Sequence, residues 1–198
     1  MRTVTGLFDN RDDAHHAVSA LKDAGIASDD ISIVFNHPED AEDDVAEGAG
    51  TGAGIGAAVG GAGGLLAGLG MLAIPGIGPV VAGGWLLSTV VGAAAGAAVG
   101  GATGGLIGAL TSAGVEEHEA HVYAEGVRRG GTLVTARVDD SLVDAANAIL
   151  KDSRSVDVSE RRQSYQDSGW DGFDETAEPY RPGQVIGSRP GIVPPIIR

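Results

Sequence analysis

Two histidines at helical spacing are the side chains best suited to metal chemistry. His118 and His121 lie three positions apart in a run that predicts a helix, with Glu117 and Glu125 nearby. Residues at i, i+3 and i, i+4 share one face of a helix, so imidazoles and a carboxylate there can hold a metal ion. The run has neither a His-Glu-x-x-His nor a Glu-x-x-His pattern. We interpret it as a solvated, helix-stabilising cluster, with His118 and His121 as weak metal candidates.

Other patterns for catalysis or cofactor binding are absent or incomplete. The chain has no cysteine, and neither Lys22 nor Lys151 follows a glycine-rich loop, so no Walker pattern exists. Residues 68–73 match the loose dinucleotide pattern but follow a predicted helix rather than a strand. We therefore expect no cofactor, no small-molecule substrate and no enzymatic activity.

Charge excludes one class of partner. The formal net charge is -14, and residues 1–47 carry 12 acids against 3 bases. An acidic surface repels the phosphate backbone, so we expect no nucleic-acid binding. Charge also comes too early at the N-terminus for a signal peptide, and we expect a cytoplasmic start.

The flanks of the chain predict alternating strands and helices. Residues 4–8 and 31–35 predict strands around a helix over 11–24, which Asn10 can cap and Gly25 can end. Residues 115–129 predict a helix, 132–138 a strand, 139–150 a further helix and 155–158 a last short strand. The two halves echo each other in sequence. They predict an α+β, ferredoxin-like domain of split β-α-β units, with helices on one face of the sheet.

Two ladders of glycine at every fourth residue interrupt this domain, inside an uncharged stretch between Glu47 and Glu116. They supply the predicted oligomerisation residues: Gly52, Gly56, Gly60, Gly64, Gly68, Gly92, Gly96, Gly100, Gly104 and Gly108. Residues 74–79, Ile-Pro-Gly-Ile-Gly-Pro, predict a turn between the ladders. The pattern predicts a glycine-zipper helical hairpin, with the first helix over 49–73 and the second over 80–112.

Each glycine inside a helix lowers the stability of the helix by about 1 kcal/mol relative to alanine. Contacts outside each helix must therefore offset the destabilisation caused by the ladders. A bilayer can supply such stabilisation. Its apolar core forces the backbone to form its hydrogen bonds within the helix, and helix faces made of small residues allow close packing between helices. Glycines four residues apart are displaced by about 40° around the helix at each step, so the glycine stripe winds around the helix. One straight partner helix cannot cover such a stripe, which favours contact with several neighbouring helices. We expect a homo-oligomer.

Three functions follow from this architecture. The first is a membrane-inserted protein whose α/β halves and tail stay cytoplasmic, with the lipid bilayer and other copies of the chain as partners. The second is a soluble cytoplasmic assembly that buries the hairpins between subunits. The third is a small pore, which tight helix rings would allow. We favour the first of these, the membrane-inserted form, although acidic flanks lacking the positive-inside signal weaken that interpretation.

The predicted organisation has four parts. Residues 1–46 form the first β-α-β half, 47–113 the hairpin, 114–158 a helix plus the second half, and 159–198 an extended, disordered tail. Proline and glycine replace periodicity in the tail, where Trp170, Phe173 and Tyr180 are candidate anchors.

The chain resembles the bacterial general stress protein 17M-like family of heat- or general-stress-induced proteins. The resemblance rests on residues 3–8, on the Asp-Ala-His-His-Ala run at 13–17 and on residues 114–131. It covers roughly residues 1–140. It implies a stress-response role, often with a predicted membrane segment, and no catalytic residues.

Overall fold

A computed structural model describes residues 1–36, 70–74, 76–90, 105–152 and 154–177. The helices and strands are β1 Arg2–Phe8, α1 Arg11–Asp23, β2 Ile31–Phe35, β3 Gly70–Ile74, β4 Gly78–Gly83, α2 over residues 85–90, α3 Gly105–Ser112, α4 Glu117–Arg128, β5 Thr132–Val138, α5 Val143–Asp152 and α6 Val158–Asp167. Short 3-10 turns, Ser28–Asp30 and Asp140–Leu142, precede β2 and α5.

The strands form one antiparallel sheet in the order β1-β5-β2-β4-β3. Strand β5 lies between β1 and β2, so that Thr135 is opposite Thr5 on one side and Ser32 on the other. The unit β1-α1-β2 is therefore a split β-α-β unit, with the antiparallel β5 filling the split. The predicted α+β class and its ferredoxin-like first half are confirmed.

Local sequence signals account for the elements of this first half. The side-chain oxygen of Asn10 accepts a hydrogen bond from the Asp13 amide at 2.9 Å, which begins α1 at the predicted cap. Gly25 follows the helix with φ of +90°, the left-handed conformation that ends many helices. Helix α1 buries Ala14, Ala17, Val18 and Leu21, the positions that its periodicity predicts.

Helices cover both faces of the sheet, so the predicted one-sided arrangement is wrong. Helices α1 and α5 pack on the face that carries Phe8, Ile33 and Val134. Helices α2, α3 and α4 pack on the opposite face, against Leu7 and Leu133 among others. The physical reason is that both faces of β2 and β5 carry residues that must be buried, with Val34 and Leu133 on the second face, and all five residues of β2 are buried.

Residues 70–83 form a β-hairpin, so the helical hairpin predicted over 47–113 is wrong at this point. The predicted turn is present at residues 76–77, but it connects the strands β3 and β4 instead of two helices. Strand β4 pairs with β2 from Ile33 to Phe35. The free edge of β2 supplies hydrogen bonds that a helix would leave unmade, and the β-branched residues around the turn suit a strand. Residues 85–90 and 105–112 are helical as predicted, while 49–69 and 91–104 lie outside the described residues.

The chain after α5 also differs from its prediction. Residues 155–157 form no strand, and α6 occupies residues assigned to the last strand and the tail. Asp157 caps α6 by accepting from the Glu160 amide at 2.9 Å. Helix α6 is polar nearly all round and buries Tyr165 alone among its residues, so it lacks the apolar periodicity that reveals a helix.

Across the part of the chain that the structure describes, no helix combines the length and apolar character needed to cross a membrane.

The turn from β4 to α2 lies very close to strand β2. The Ser32 hydroxyl, buried near the start of β2, accepts a hydrogen bond from the Leu86 amide at 2.9 Å and so holds the start of α2. Gly84 forms the turn with φ of +82°. A Cβ atom at this position would overlap the Ile31 carbonyl oxygen and come within 2.6 Å of the Ser32 hydroxyl.

We predict that Gly84→Ala lowers the free energy of unfolding by about 3 kcal/mol or more, because it adds a backbone clash to a left-handed conformation. Gly25→Ala is the matched control: its φ is also positive, but a Cβ there meets nothing within 4 Å. It should cost only about 1–2 kcal/mol. Urea unfolding of both variants measures the difference, and equal losses would contradict the close approach.

Candidate functional site

The histidine cluster lies in a shallow groove between α4, α6 and the segment that follows α6. The groove has a volume of about 470 Å³. It is lined by Glu117, His118, His121, Arg162, Gln166, Trp170, Asp171 and Gly172. The structure therefore brings His118 and His121 to one surface, as their spacing predicts.

His121 holds the chain after α6 in place. Its Nδ1 accepts a hydrogen bond from the backbone amide of Phe173 at 3.2 Å. A neutral imidazole has one acceptor and one donor nitrogen, so Nε2 carries the proton. Metal binding through Nε2 requires the proton on Nδ1, where it would face the Phe173 amide. This contact therefore competes with metal binding.

His118 is half exposed and has a different partner. Its Nδ1 lies 3.3 Å from the Glu116 carboxylate. In the described ranges, no three histidine, cysteine or acidic side chains come together in an arrangement that can hold a metal ion. His118 and His121 thus share a groove without a third ligand.

Glu125 is buried, whereas the sequence placed it in a solvated cluster. Its carboxylate accepts from Arg128 Nε at 2.8 Å and Nη2 at 2.7 Å, and from Arg129 Nε at 2.6 Å. The carboxylate side chain is only 1% exposed. The signal that reveals this clamp is an acid with bases three and four positions later, which places all three on one helix face.

The clamp extends to α6 through aromatic contacts. The Arg129 guanidinium lies 4.0 Å from the centroid of the Tyr165 ring, and Trp170 meets the same ring edge-on at 5.6 Å. Phe173 packs against the hydrophobic cluster on the α4 face. Trp170 and Phe173 therefore contact the body of their own subunit, while Tyr180 lies outside the described residues.

Burial controls the ionisation of both tyrosines on this side of the molecule. Removal from water raises the pKa of Tyr165, and the nearby Arg161 and Arg129 charges oppose that rise. Burial likewise raises the pKa of Tyr123, and the Glu119 charge adds to the effect. Both phenols remain protonated near neutral pH, so neither supplies a phenolate for chemistry.

The predicted oligomerisation glycines mostly fall outside the described residues. Gly108 is the one ladder glycine that the described ranges include, and it is buried within α3. Helix α3 buries every residue from Gly105 to Leu110 and packs on the α4 face of the sheet. At this position the ladder therefore serves packing within the subunit.

Comparison with known families identifies the class of the first part of the chain. Residues 3–72 match the family model described as the heat induced stress protein YflT domain. The match spans β1, α1 and β2 and ends in β3. The resemblance to the general stress proteins is confirmed for these residues, while its second part, at 114–131, lies beyond the match. Comparisons with curated proteins and with solved structures returned no match.

We predict that Glu125→Ala lowers the free energy of unfolding by about 3–5 kcal/mol, because it leaves two partly buried arginines without their common partner. Glu116→Ala is the control, since its carboxylate is 73% exposed and should contribute less than about 0.5 kcal/mol. Denaturant unfolding measures both. A small effect of Glu125→Ala would show that the clamp is unimportant for stability.

We predict that His121→Ala increases hydrogen exchange at the Phe173 amide by about tenfold, because it removes the acceptor. The control is His121→Asn, whose side-chain oxygen can occupy the position of Nδ1 and should preserve much of the protection. Amide-resolved exchange measures both variants. Equal exchange in the native protein and His121→Ala would contradict the contact.

Proposed function

We propose that the protein is a non-enzymatic stress-response protein whose α/β body carries two glycine-rich segments, 37–69 and 91–104, through which copies assemble. The observation that carries the proposal is that both segments are attached to the same half of the sheet. Segment 37–69 connects β2 to β3, and segment 91–104 connects α2 to α3. The YflT match supports the stress-response class.

The attachment points of the segments are firmly packed. Val90, where α2 meets the second segment, is buried with Leu86 and Leu106 in the hydrophobic cluster on the α4 face. A Cβ at Gly105, where α3 begins, would lie 3.5 Å from the Ile74 side chain of β3. Both ends of segment 91–104 are thus packed against the body beside β3, and segment 37–69 leads from β2 into β3, which favours presenting the two segments together to another copy.

The sheet topology favours assembly between subunits over a membrane span. Strands β2 and β3 belong to one sheet, so segment 37–69 would have to cross a bilayer an even number of times. Two helical crossings need about 40 residues at 1.5 Å per residue across about 30 Å. Segment 37–69 has fewer, and it begins with acids. We therefore prefer the assembly with buried glycine segments to the membrane-inserted form and to the pore.

We predict that Gly56→Leu and Gly100→Leu each reduce the oligomer to smaller species, because a large side chain prevents close approach at the ladder. The controls are Ala58→Leu and Ala98→Leu, which place the same side chain two positions off the ladder and should preserve oligomer size. Sedimentation velocity of the full chain measures all four. A native protein that is monomeric at all concentrations, or an oligomer unchanged by the ladder variants, would refute the assembly.

Carbonate extraction of cell membranes separates the assembly from the membrane-inserted form. We expect quantitative release of the native protein into the supernatant. Retention in the membrane pellet would support insertion and contradict the assembly with buried glycine segments. A pore would additionally produce ion flux in reconstituted vesicles.

A further inference from the structure

One edge of the sheet has room for a further strand. In a ferredoxin-like sheet, the strand that ends the second β-α-β unit lies beside the first strand and antiparallel to it. Here the residues after α5 form α6, and in the described chain β1 pairs with β5 alone. A groove of about 790 Å³ lies along β1. Its walls include Glu119 and Tyr123 of α4 on one side and Asn147 and Lys151 of α5 on the other.

The backbone of β1 shows which groups face this groove. The Leu7 carbonyl accepts a hydrogen bond from the Val156 amide at 2.7 Å, so Leu7 directs its backbone groups away from β5. Backbone direction alternates along an antiparallel strand, and Thr3 and Thr5 must therefore direct their N–H and C=O groups the same way. The edge of β1 thus offers the N–H and C=O groups of Thr3 and Thr5, two donors and two acceptors, in addition to the Leu7 carbonyl that Val156 already binds.

We propose that residues 183–189 of this chain add to β1 as an antiparallel strand and complete the sheet. Backbone hydrogen bonds from Thr3 and Thr5 would hold the added strand, and its alternate side chains would face α4 and α5. An uncovered strand edge is an aggregation hazard, and this addition would remove it. Addition of a strand at β1 is independent of assembly through the glycine segments.

The sequence of residues 183–189 suits this position. The run, Gly-Gln-Val-Ile-Gly-Ser-Arg, contains no proline, while Pro182 and Pro190 bound it. The run of residues 183–189 is long enough to pair with residues 2–6. Proline lacks the amide hydrogen that strand pairing needs, so the flanking prolines limit the added strand to about this length. Val185 and Ile186 at its centre are β-branched residues, which favour strands.

Charge also favours this segment. The groove contains three acids, Glu116, Glu119 and Asp157, against the two bases Arg2 and Lys151. Residues 178–198 contain three of the chain's 13 basic residues and only one of its 27 acids. Residues 178–198 therefore carry a net positive charge in an acidic protein, and this charge complements the groove.

The connection is long enough. The described chain passes beside the turn between β3 and β4, where a Cβ at Gly76 would lie 2.5 Å from the Asp174 carbonyl oxygen. Five strand spacings, about 24 Å, separate β3 at the far edge of the sheet from the position outside β1. Ile186 follows Ala177 by nine residues, which reach up to about 30 Å when extended.

A second copy of β1 fits the groove less well. An antiparallel pair of β1 strands has a two-fold axis perpendicular to the sheet, so α4 of one copy would face α4 of the other. That arrangement would bring Glu116 and Glu119 toward their own equivalents, which is unfavourable. The flanking helices would also approach each other, whereas a single extended segment needs only the space between them.

Hydrogen exchange of the full chain tests the proposal. Ile186→Pro removes an amide and the strand conformation from the added segment, and we expect exchange at Thr3 and Thr5 to accelerate at least about tenfold. Ile192→Pro, beyond the run, is the control and should leave both amides protected. Exchange at Leu133 and Val134 in β5 reports that the fold is intact. Thr3 and Thr5 amides that exchange rapidly in the native chain, or equally in all three proteins, would overturn the proposal.

Disulfide trapping identifies the occupant, because the chain has no cysteine of its own. Thr3→Cys is combined in turn with cysteine at Gln184, Val185, Ile186 and Gly187. Successive strand residues point to opposite faces, so cross-links should form at alternate positions and within one chain. Cross-links at every position or at none would contradict an ordered strand. A dimer linked through Thr3→Cys alone would instead show that a second copy occupies the edge.

Discussion

The insertion of β5 between β1 and β2 is the pairing on which the rest of the fold depends. Strands β1 and β2 come from the first 36 residues, while β5 begins at Thr132. Without β5 the two early strands have no common partner, and neither α1 nor α4 has a complete surface to cover. Closing so long a loop costs entropy, although the cost grows only slowly with length. A large glycine-rich insertion is therefore compatible with this sheet, while its non-local pairing favours slow folding.

Elements with their own local signals were predictable from the sequence. Helix α1 has a capping side chain and one apolar face, and β5 is a β-prone run that follows Gly130-Gly131. The β3-β4 hairpin was not, because its stability comes from the free edge of β2, a partner that no local pattern reveals. Helix α6 was not predicted because it buries a single residue, Tyr165, and therefore has almost no apolar periodicity.

The candidate site shows how residue types associated with catalysis can serve structure instead. Spacing correctly placed His118 and His121 on one surface, but it gave no indication that the Phe173 amide would bind Nδ1 of His121. Glu125 was predicted to be solvated because its neighbours in sequence are charged, whereas the arginines that follow it allow its burial. The burial of this face of α4 and the partner of His121 depend on α6 and the segment after it, which the α4 sequence alone does not reveal.

The Ser32 hydroxyl joins the central part of the sheet to the first turn of α2, and this has a mechanical consequence. Helix α2 leads directly into segment 91–104, so a load on that segment reaches the body through α2, which is held by the buried side chains of Val90 and Leu86 and by the Leu86 amide. Ser32 lies in β2, which has β5 on one side and β4 on the other. The load is thus shared by two ladders of hydrogen bonds rather than by an outer strand that can peel away. Copies joined through such segments would transmit tension through the most resistant part of each subunit.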